Sequence, residues 1–415
     1  MRSPLRLLFL AAVAAVPLSL PAQEICSLEW ELEEVLRVGS IDGEVTFSGI
    51  HDVAVGPHGT VYVTEALLPE VSVFTPEGHQ LPPVGRAGQG PGEFEWGARS
   101  VGWRADTLWA HDVYKTNFFD PEGDPLRQVR FSVEVVEEGS RFGPGVPLAD
   151  GTFLGGRGII DWSQYAVGND ALAIRRFSET GEIVDTLAFV DWEGRFIDVA
   201  RDDGSVIHQR HPMKLRQFED PSATARATTP DGEAVVLVRD GDAGPGGEHF
   251  SLVKVASSGD TLLHRAIPYE PIPVTASEED WWREAFAAWH AGDFGANQPG
   301  TAQRPPPVME RMRREAGAAF WAPDRHPPVR DVLAGQDGTV WLLRELTGER
   351  LARWEVYDSA GELIGVVAID EGRSSTIPWS PRVKLLHAGL DDVWGVTIDD
   401  FDVPYLHRFQ VHRDC

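Results

Sequence analysis

The chain has 415 residues, 64 acidic against 37 basic, a formal charge of −27, 42% hydrophobic residues and two Cys. That apolar content excludes a disordered chain, and so few Cys exclude a disulfide-dense miniprotein or a cysteine-rich zinc scaffold. So acidic a surface repels phosphate backbones and anionic lipid heads, so nucleic acid is not an expected partner.

At the N-terminus, Arg2 and Arg6 precede an apolar run from Leu7 to Leu20, and Leu-Pro-Ala at 20–22 offers a cleavage site after Ala22. Residues 1–22 therefore read as a signal peptide. Removing them takes away two Arg and no acid, so the charge moves from −27 to −29. The run is short for a membrane span, and no later stretch approaches ~20 apolar residues. Cys26 follows Glu24 and Ile25 rather than the small residues of a lipid-attachment box. The expectation is a periplasmic or secreted monomer with no membrane insertion once the signal is removed.

The remaining residues, 23–415, exceed what one hydrophobic core usually supports, about 250–300 residues, which points to a repeat architecture. Repeats are visible. Turn-and-strand units read PHGTVYV (57–63), RADTLWA (104–110), ADGTFLG (149–155), PDGEAVVL (230–237), QDGTVWLL (336–343) and LDDVWGV (390–396). An Asp-Gly turn or a close relative of it, followed by β-branched and aromatic residues, is a hairpin signal. Second halves follow, such as VSVFTPEGHQL (71–81), NFFDPEGDPL (117–126) and WEVYDSAGELIGVV (354–367). Four antiparallel strands per unit, at about 40–50 residues, is the period of a propeller blade. The fold expected is all-β: a single six-bladed β-propeller domain over 23–415.

Three segments depart from the repeat. RDDGSVIHQRH (201–211) has a turn without a clear second half; it reads as an elaborated lead-in to the fourth blade, with a seventh, degenerate blade as the alternative. SEEDWWREAFAAWHAG (277–292) reads as a helix capped by Ser277 and ended by Gly292, with Trp282, Ala285, Phe286 and Trp289 on one face. VMERMRREAGAAF (308–320) reads as a second helix, so a helical insertion at about 275–322 separates blades four and five. The sixth blade lacks a strand after YLHRFQVHR (405–413), and LEWELEEVLRVG (28–39) is the obvious donor. Strands from both termini then close the ring and leave no open edge. Cys26 and Cys415 fall at adjoining ends of those two strands, so a Cys26–Cys415 disulfide is expected in an exported protein.

The segment VGRAGQGPGEF (84–94) resembles the signature linking the first two blades of exported bacterial six-bladed propellers, which are similar to NHL-repeat and TolB-like propellers. IHDVAVGPHGTVYVTE with VSVFTPEGH (50–79) resembles an NHL repeat. The resemblance implies fold far more than function. Read from the residues, Gly85, Gly88, Gly90 and Gly92 allow positive φ and close approach between blades. Arg86 and Glu93 have a structural role, Glu93 accepting backbone amides or pairing with Arg86. The run lacks the Lys-Ser/Thr ending of a phosphate loop.

Aligning innermost strands by their turns sets His51 near Arg99, Arg330 and Lys384, with Asp52 matching Asp331. Such a cationic ring suits a small anion, a carboxylate or phosphate. The function expected is a non-catalytic extracytoplasmic scaffold for a small anionic ligand or a protein. The alternative is a metal-dependent hydrolase or lyase, lactonase-like or NHL-lyase-like, with its site at the channel mouth. No catalytic or metal residue is assigned and no cofactor is expected, with calcium or zinc left open. The three Asn (Asn117, Asn169, Asn297) are not on innermost strands, and the 13 His, His208 and His211 included, show no zinc spacing. No G-x-S-x-G nucleophile elbow is present.

Overall fold

The computed structural model describes residues 27–40, 43–65, 68–112, 115–131, 144–155, 171–191, 195–200, 206–211, 226–240, 248–291, 306–320, 322, 324–344, 351–370, 372, 382–401 and 403–413. Residues 1–22, expected to be a signal peptide, lie outside them, as do Cys26, Cys415, Asn169, Gly292 and Asn297.

After strand β1 (Glu29–Val38), antiparallel hairpins follow one another along the chain. The first four-stranded sheet is β2 (Ile50–Val55), β3 (Val61–Glu65), β4 (Val71–Phe74) and β5 (Gln80–Val84). A short parallel pair, β6 (Arg86–Ala87) and β7 (Glu93–Phe94), leads to the second: β8 (Ser100–Arg104), β9 (Thr107–Asp112), β10 (Lys115–Phe119) and β11 (Pro125–Arg130). The third is β12 (Pro144–Pro147), β13 (Phe153–Gly155), β14 (Ala171–Phe177) and β15 (Ile183–Asp191). A separate hairpin of β16 (Arg195–Ala200) and β17 (Val206–His211) precedes the fourth: β18 (Arg226–Thr228), β19 (Ala234–Asp240), β20 (His249–Ala256) and β21 (Thr261–Pro268). Helices α1 (Ala276–Ala291) and α2 (Pro306–Ala319) come next. The chain ends with β22 (Val329–Ala334), β23 (Val340–Arg344), β24 (Leu351–Tyr357), β25 (Leu363–Asp370), β26 (Val383–Ala388), β27 (Asp392–Ile398) and β28 (Pro404–Arg413).

These last seven strands and β1 form one eight-stranded sheet, ordered β22-β23-β24-β25-β1-β28-β27-β26. Its middle seam differs from the rest. β1 runs antiparallel along β28 from Trp30↔Arg413 to Val38↔Leu406, with one irregularity between Glu34 and Leu36. It touches β25 in parallel through only Glu29↔Val366 and Trp30↔Val367. The strand at the N-terminal side thus completes the sheet begun by the last three.

The arrangement is propeller-like because the apolar cores lie between sheets. Tyr62, Val71 and Val73 pack with Val101, Leu108 and Phe119. Trp109 and Phe118 pack with Phe153, and Leu148, Leu154 and Ile174 with Val235, Leu237 and Val253. Val236, Phe250 and Leu252 meet Val332, Val340 and Tyr357. Trp341, Trp354 and Val367 meet Trp30, Leu385 and Val393. Trp394, Leu406 and Val38 return to Val53, Val61 and Phe74 of the first sheet. Inner strands such as β3, β10 and β13 are buried on both faces, as their β-branched and aromatic residues require, while the outer strands β5, β11 and β21 are largely exposed. First strands approach one another at the centre, β2 beside β8 and β26, and β22 beside β18 and β26.

The helix α1 starts two residues earlier than its sequence suggests. Thr275, not Ser277, is the cap: Thr275 Oγ1 accepts from Glu278 N at 3.3 Å, and Thr275 N donates to Glu278 Oε2 at 2.8 Å. This is a capping box, and the reciprocal bond to Glu278 is what favours Thr275 over Ser277. Trp282 and Ala285 are buried on the inner face, while the side chains of Phe286 and Trp289 lie outside the described residues. α2 packs on α1 and lies beside β16; of the 201–211 segment, Val206–His211 forms β17, which pairs with β16 in a two-stranded sheet rather than in the fourth sheet.

Candidate functional site

First strands all begin at the same end of the ring, because each sheet is an antiparallel meander. That end, the mouth, also receives the connections that carry β16–β17 and the two helices. Four of the sequence-selected residues meet there. His51 stands in an irregularity of β2, between Ile50 and Asp52. Its Nε2 lies 3.0 Å from Arg99 Nη1, just ahead of β8. A guanidinium only donates, so His51 Nε2 is the acceptor and the imidazole is neutral with its proton on Nδ1. Burial lowers the His51 pKa, and Arg99 and Lys384 lower it further.

Asp52, the next residue, turns toward β8. Its Oδ1 accepts Val53 N at 2.9 Å and its Oδ2 accepts Val101 N at 3.1 Å. Burial pushes the carboxyl up to about 6, against the pull of those two amides and of Lys384 on β26. His51, Asp52, Arg99 and Lys384 therefore form one electrostatic group drawn from three neighbouring sheets.

Arg330 and Asp331 are placed at the corresponding point of β22. Arg330 occupies the same kind of irregularity, between Val329 and Asp331, and Asp331 Oδ1 accepts Val332 N at 2.9 Å as Asp52 does with Val53. Arg330 lies near His326, whose pKa it helps to lower after burial, the main cause.

Other carboxylates at this mouth are turned to protein donors. Glu65 accepts Ser48 N and Ser72 Oγ, at 3.0 and 2.8 Å. Asp112 Oδ2 accepts Glu95 N and Trp96 N, at 2.8 and 3.4 Å. Asp112 thereby fixes the segment that delivers Arg99, whose own N–H donates to His111 O at 2.7 Å. His111 and Asp112 are positioning residues that strand patterning did not reveal; the His-Asp pair closing the TLWA strand was the available signal.

The 84–94 loop is tied to its own residues and to the second sheet. Arg86 pairs with Glu93 at 2.9 Å, and Glu93 Oε2 accepts Gly90 N at 2.9 Å. Gly88, with φ 146°, would place a Cβ against the Glu93 carboxylate. Buried Asn117 accepts Gly92 N at 3.0 Å and donates to Glu93 O at 3.1 Å, while Lys115 Nζ donates to Gly88 O at 3.2 Å. Among the described residues, no group of three or more His, Cys, Asp or Glu is arranged to hold a metal ion. The side chains of His208 and His211, on β17, lie outside them. Among the described residues, no helix is long and apolar enough to cross a membrane.

Fold and site together define a propeller-like β protein with a cation-bearing mouth. No protein-family profile matches the chain, and no curated protein does. Solved structures are similar at low levels. A Bacteroides fragilis protein assigned as exported is 10% identical with a TM-score of 0.42, over 95% of this chain and 97% of that one. Virginiamycin B lyase from Staphylococcus aureus is 10% identical with a TM-score of 0.37, over 92% and 99%. Regucalcin, a calcium-binding protein from Agrobacterium tumefaciens, is 10% identical with a TM-score of 0.36, over 92% and 97%. The propeller-like arrangement rests on the sheets and cores themselves.

Proposed function

We propose that this chain is an extracytoplasmic, non-catalytic binding scaffold that holds a small anionic ligand at its mouth. The observation that carries the reading is the pairing of Arg99 with neutral His51 beside Lys384. In a protein with 64 acidic residues, this guanidinium bonds an imidazole, while nearby carboxylates Asp52, Glu65 and Asp112 accept backbone amides. An oxyanion at Arg99 supplies the planar, charge-assisted acceptor that imidazole cannot.

The finer architecture belongs to the same proposal. Counting the eight-stranded sheet as two blades, divided at the two-residue parallel seam between β1 and β25, gives six blades. NHL-like or TolB-like membership is supported by the 50–94 motifs, and export by residues 1–22. The test is calorimetric titration with sulfate and with oxalate, a tetrahedral and a planar dianion. Wild type is expected to bind at least one of them, and Arg99→Gln and Lys384→Gln each to weaken it tenfold or more. Undiminished binding in the double variant would move the site elsewhere.

A further inference from the structure

Two aromatic rings stand out into solvent, Trp96 at 59% and Phe401 at 81% exposure. The other large apolar side chains exposed among the described residues are Leu and Val, placed at β1 and on the outer strands β5, β11, β15, β21 and β25. Scattered aliphatic side chains need no account, whereas aromatic rings gathered on one face do. Both rings are at the mouth. Trp96 lies in the connection into β8, and Phe401 in the connection from β27 to β28. Those connections belong to the two sheets on either side of β2, the strand that carries His51. Both backbones are pinned. Trp96 N and Glu95 N donate to Asp112 Oδ2. Gly97 has φ 81°, and a Cβ there would come 2.7 Å from Leu68 O, so the chain leaving Trp96 is seated on the β3–β4 connection. Phe401 N and Val403 N donate to Asp399 Oδ1 at 2.8 and 3.0 Å, and Tyr405 Oη donates to Asp399 Oδ2 at 3.0 Å.

Each ring is tied to a mouth cation. Trp96 comes three residues before Arg99, whose Nη1 lies 3.0 Å from His51 Nε2. Asp400, next to Phe401, pairs with Arg382 at 2.6 Å, and Ile398 N donates to Arg382 O at 2.8 Å, two residues ahead of Lys384. The order across the mouth is therefore ring, cations, ring. Resting on the anion-binding reading, we propose that the mouth docks an extended acidic segment of another protein, whose carboxylate takes Arg99 and Lys384 while apolar side chains on either side of it cover Trp96 and Phe401. Exposed Trp and Arg are the residues that dominate protein interfaces, and pinned backbones lose little freedom when such rings are covered. The polar groups decide the kind of partner. Asp52, Asp112 and Asp399 already accept backbone amides, so a sugar chain would find these acceptors taken when it offered its hydroxyls. A carboxylate between apolar side chains asks only for cations and rings. Elsewhere on a chain of net charge −27 an acidic segment is repelled, which confines it to this place. Two steps between neighbouring sheets, about 10 Å each, correspond to about six residues of extended chain.

The experiment selects a phage library of random peptides, long enough to span the mouth, on the full mature chain, with the Trp96→Ala/Phe401→Ala double variant as counter-target. Enriched peptides are then synthesised and titrated by calorimetry. They should carry Asp or Glu between apolar residues, and bind more weakly as salt is added. Trp96→Ala and Phe401→Ala should each weaken them tenfold or more. Both rings are exposed, so these variants should keep the urea midpoint of wild type. Leu126→Ala, exposed on β11, should bind the peptides as wild type does. A selection in which no peptide separates wild type from the double variant overturns the proposal, as do enriched peptides without acidic residues. Polygalacturonate binding that needs both rings, with no peptide enriched, overturns it in favour of an acidic sugar chain. Sulfate or oxalate binding to wild type with no peptide enriched overturns it and leaves the anion site standing. Peptides that need both rings but bind Arg99→Gln and Lys384→Gln at full strength overturn the anion-binding reading, and the carboxylate contact with it.

Discussion

Buried imidazoles in this protein stay neutral, and that has a consequence for acid stability. Burial lowers His111 and His387 to about 4, from 6.5 in an unfolded chain. Both contribute fully above pH 6.5, and stability falls as pH drops from there toward 4, because only the unfolded chain then binds those protons. Each loss amounts to about 3 kcal/mol by linkage. Asp52 has the opposite sign. Its carboxyl stands at about 6 against 3.8 unfolded, so it weakens the fold above pH 6 and ceases to do so as pH falls to 4, offsetting about one imidazole. Urea midpoints at pH 7 and 4.5 should therefore show a net acid loss, shallower in His111→Gln. Equal midpoints for wild type at the two values would show that these groups titrate unperturbed. At this scale the sequence was legible where partners are local. Arg86 and Glu93 sit across one Gly-rich turn and could be paired by eye. His51, Arg99 and Lys384 were alignable because each opens an innermost strand at a fixed distance from its turn. The locks on the signature loop, Lys115 and Asn117, were not, since they reach it from the second sheet, and no spacing encodes that approach.

At the scale of elements, the seam between β1 and β25 depends on one aromatic ring meeting one absent side chain. Trp30 is buried and lies edge-on to Trp341, ring centroids 6.1 Å apart. A Cβ on Gly365 of β25 would come within 2.1 Å of the Trp30 ring. Gly365 is thus the floor on which the indole lies, and Val367 pairs with Trp30 directly. Trp30→Ala is expected to cost about 3–5 kcal/mol through the cavity it leaves. Gly365→Ala should cost about 1–3 kcal/mol through overpacking. The informative variant is the double one. Removing the ring removes the clash, so the two losses should fall short of adding by 1 kcal/mol or more. Additive losses in urea unfolding would mean that Gly365 matters for its backbone and not for the ring above it. Alternation in the 28–39 segment told of a strand without a partner. It did not tell of Gly365, because a glycine within an apolar strand has several readings until the residue facing it is known.

For the whole molecule, the problem is closure. The four four-stranded sheets are built from consecutive strands, whereas the eight-stranded sheet sets β1, from the opposite end of the chain, between β25 and β28. That strand holds by the β28 ladder and by pairs such as Glu34 with His407, 2.8 Å apart. Fraying of β1 would expose the edge of β28 and the Trp30 pocket together, in a chain whose net charge of −27 already favours expansion. The antiparallel ladder has Trp30 opposite Arg413 at one end. In the sequence Cys26 comes four residues before Trp30 and Cys415 two residues after Arg413. A bond between them would prevent the fraying, and by spanning almost the entire chain it would constrain the unfolded state strongly, on the order of 5 kcal/mol in the chain-entropy model. The intact mass of protein purified from an oxidising compartment is expected to be two hydrogens below that of the reduced chain. Reduction should lower the urea midpoint, and Cys26→Ser should have the same midpoint with or without reductant. A wild-type mass carrying both thiols, or a midpoint indifferent to reductant, would leave the ladder and the Trp30 contact as the sole closure of the ring.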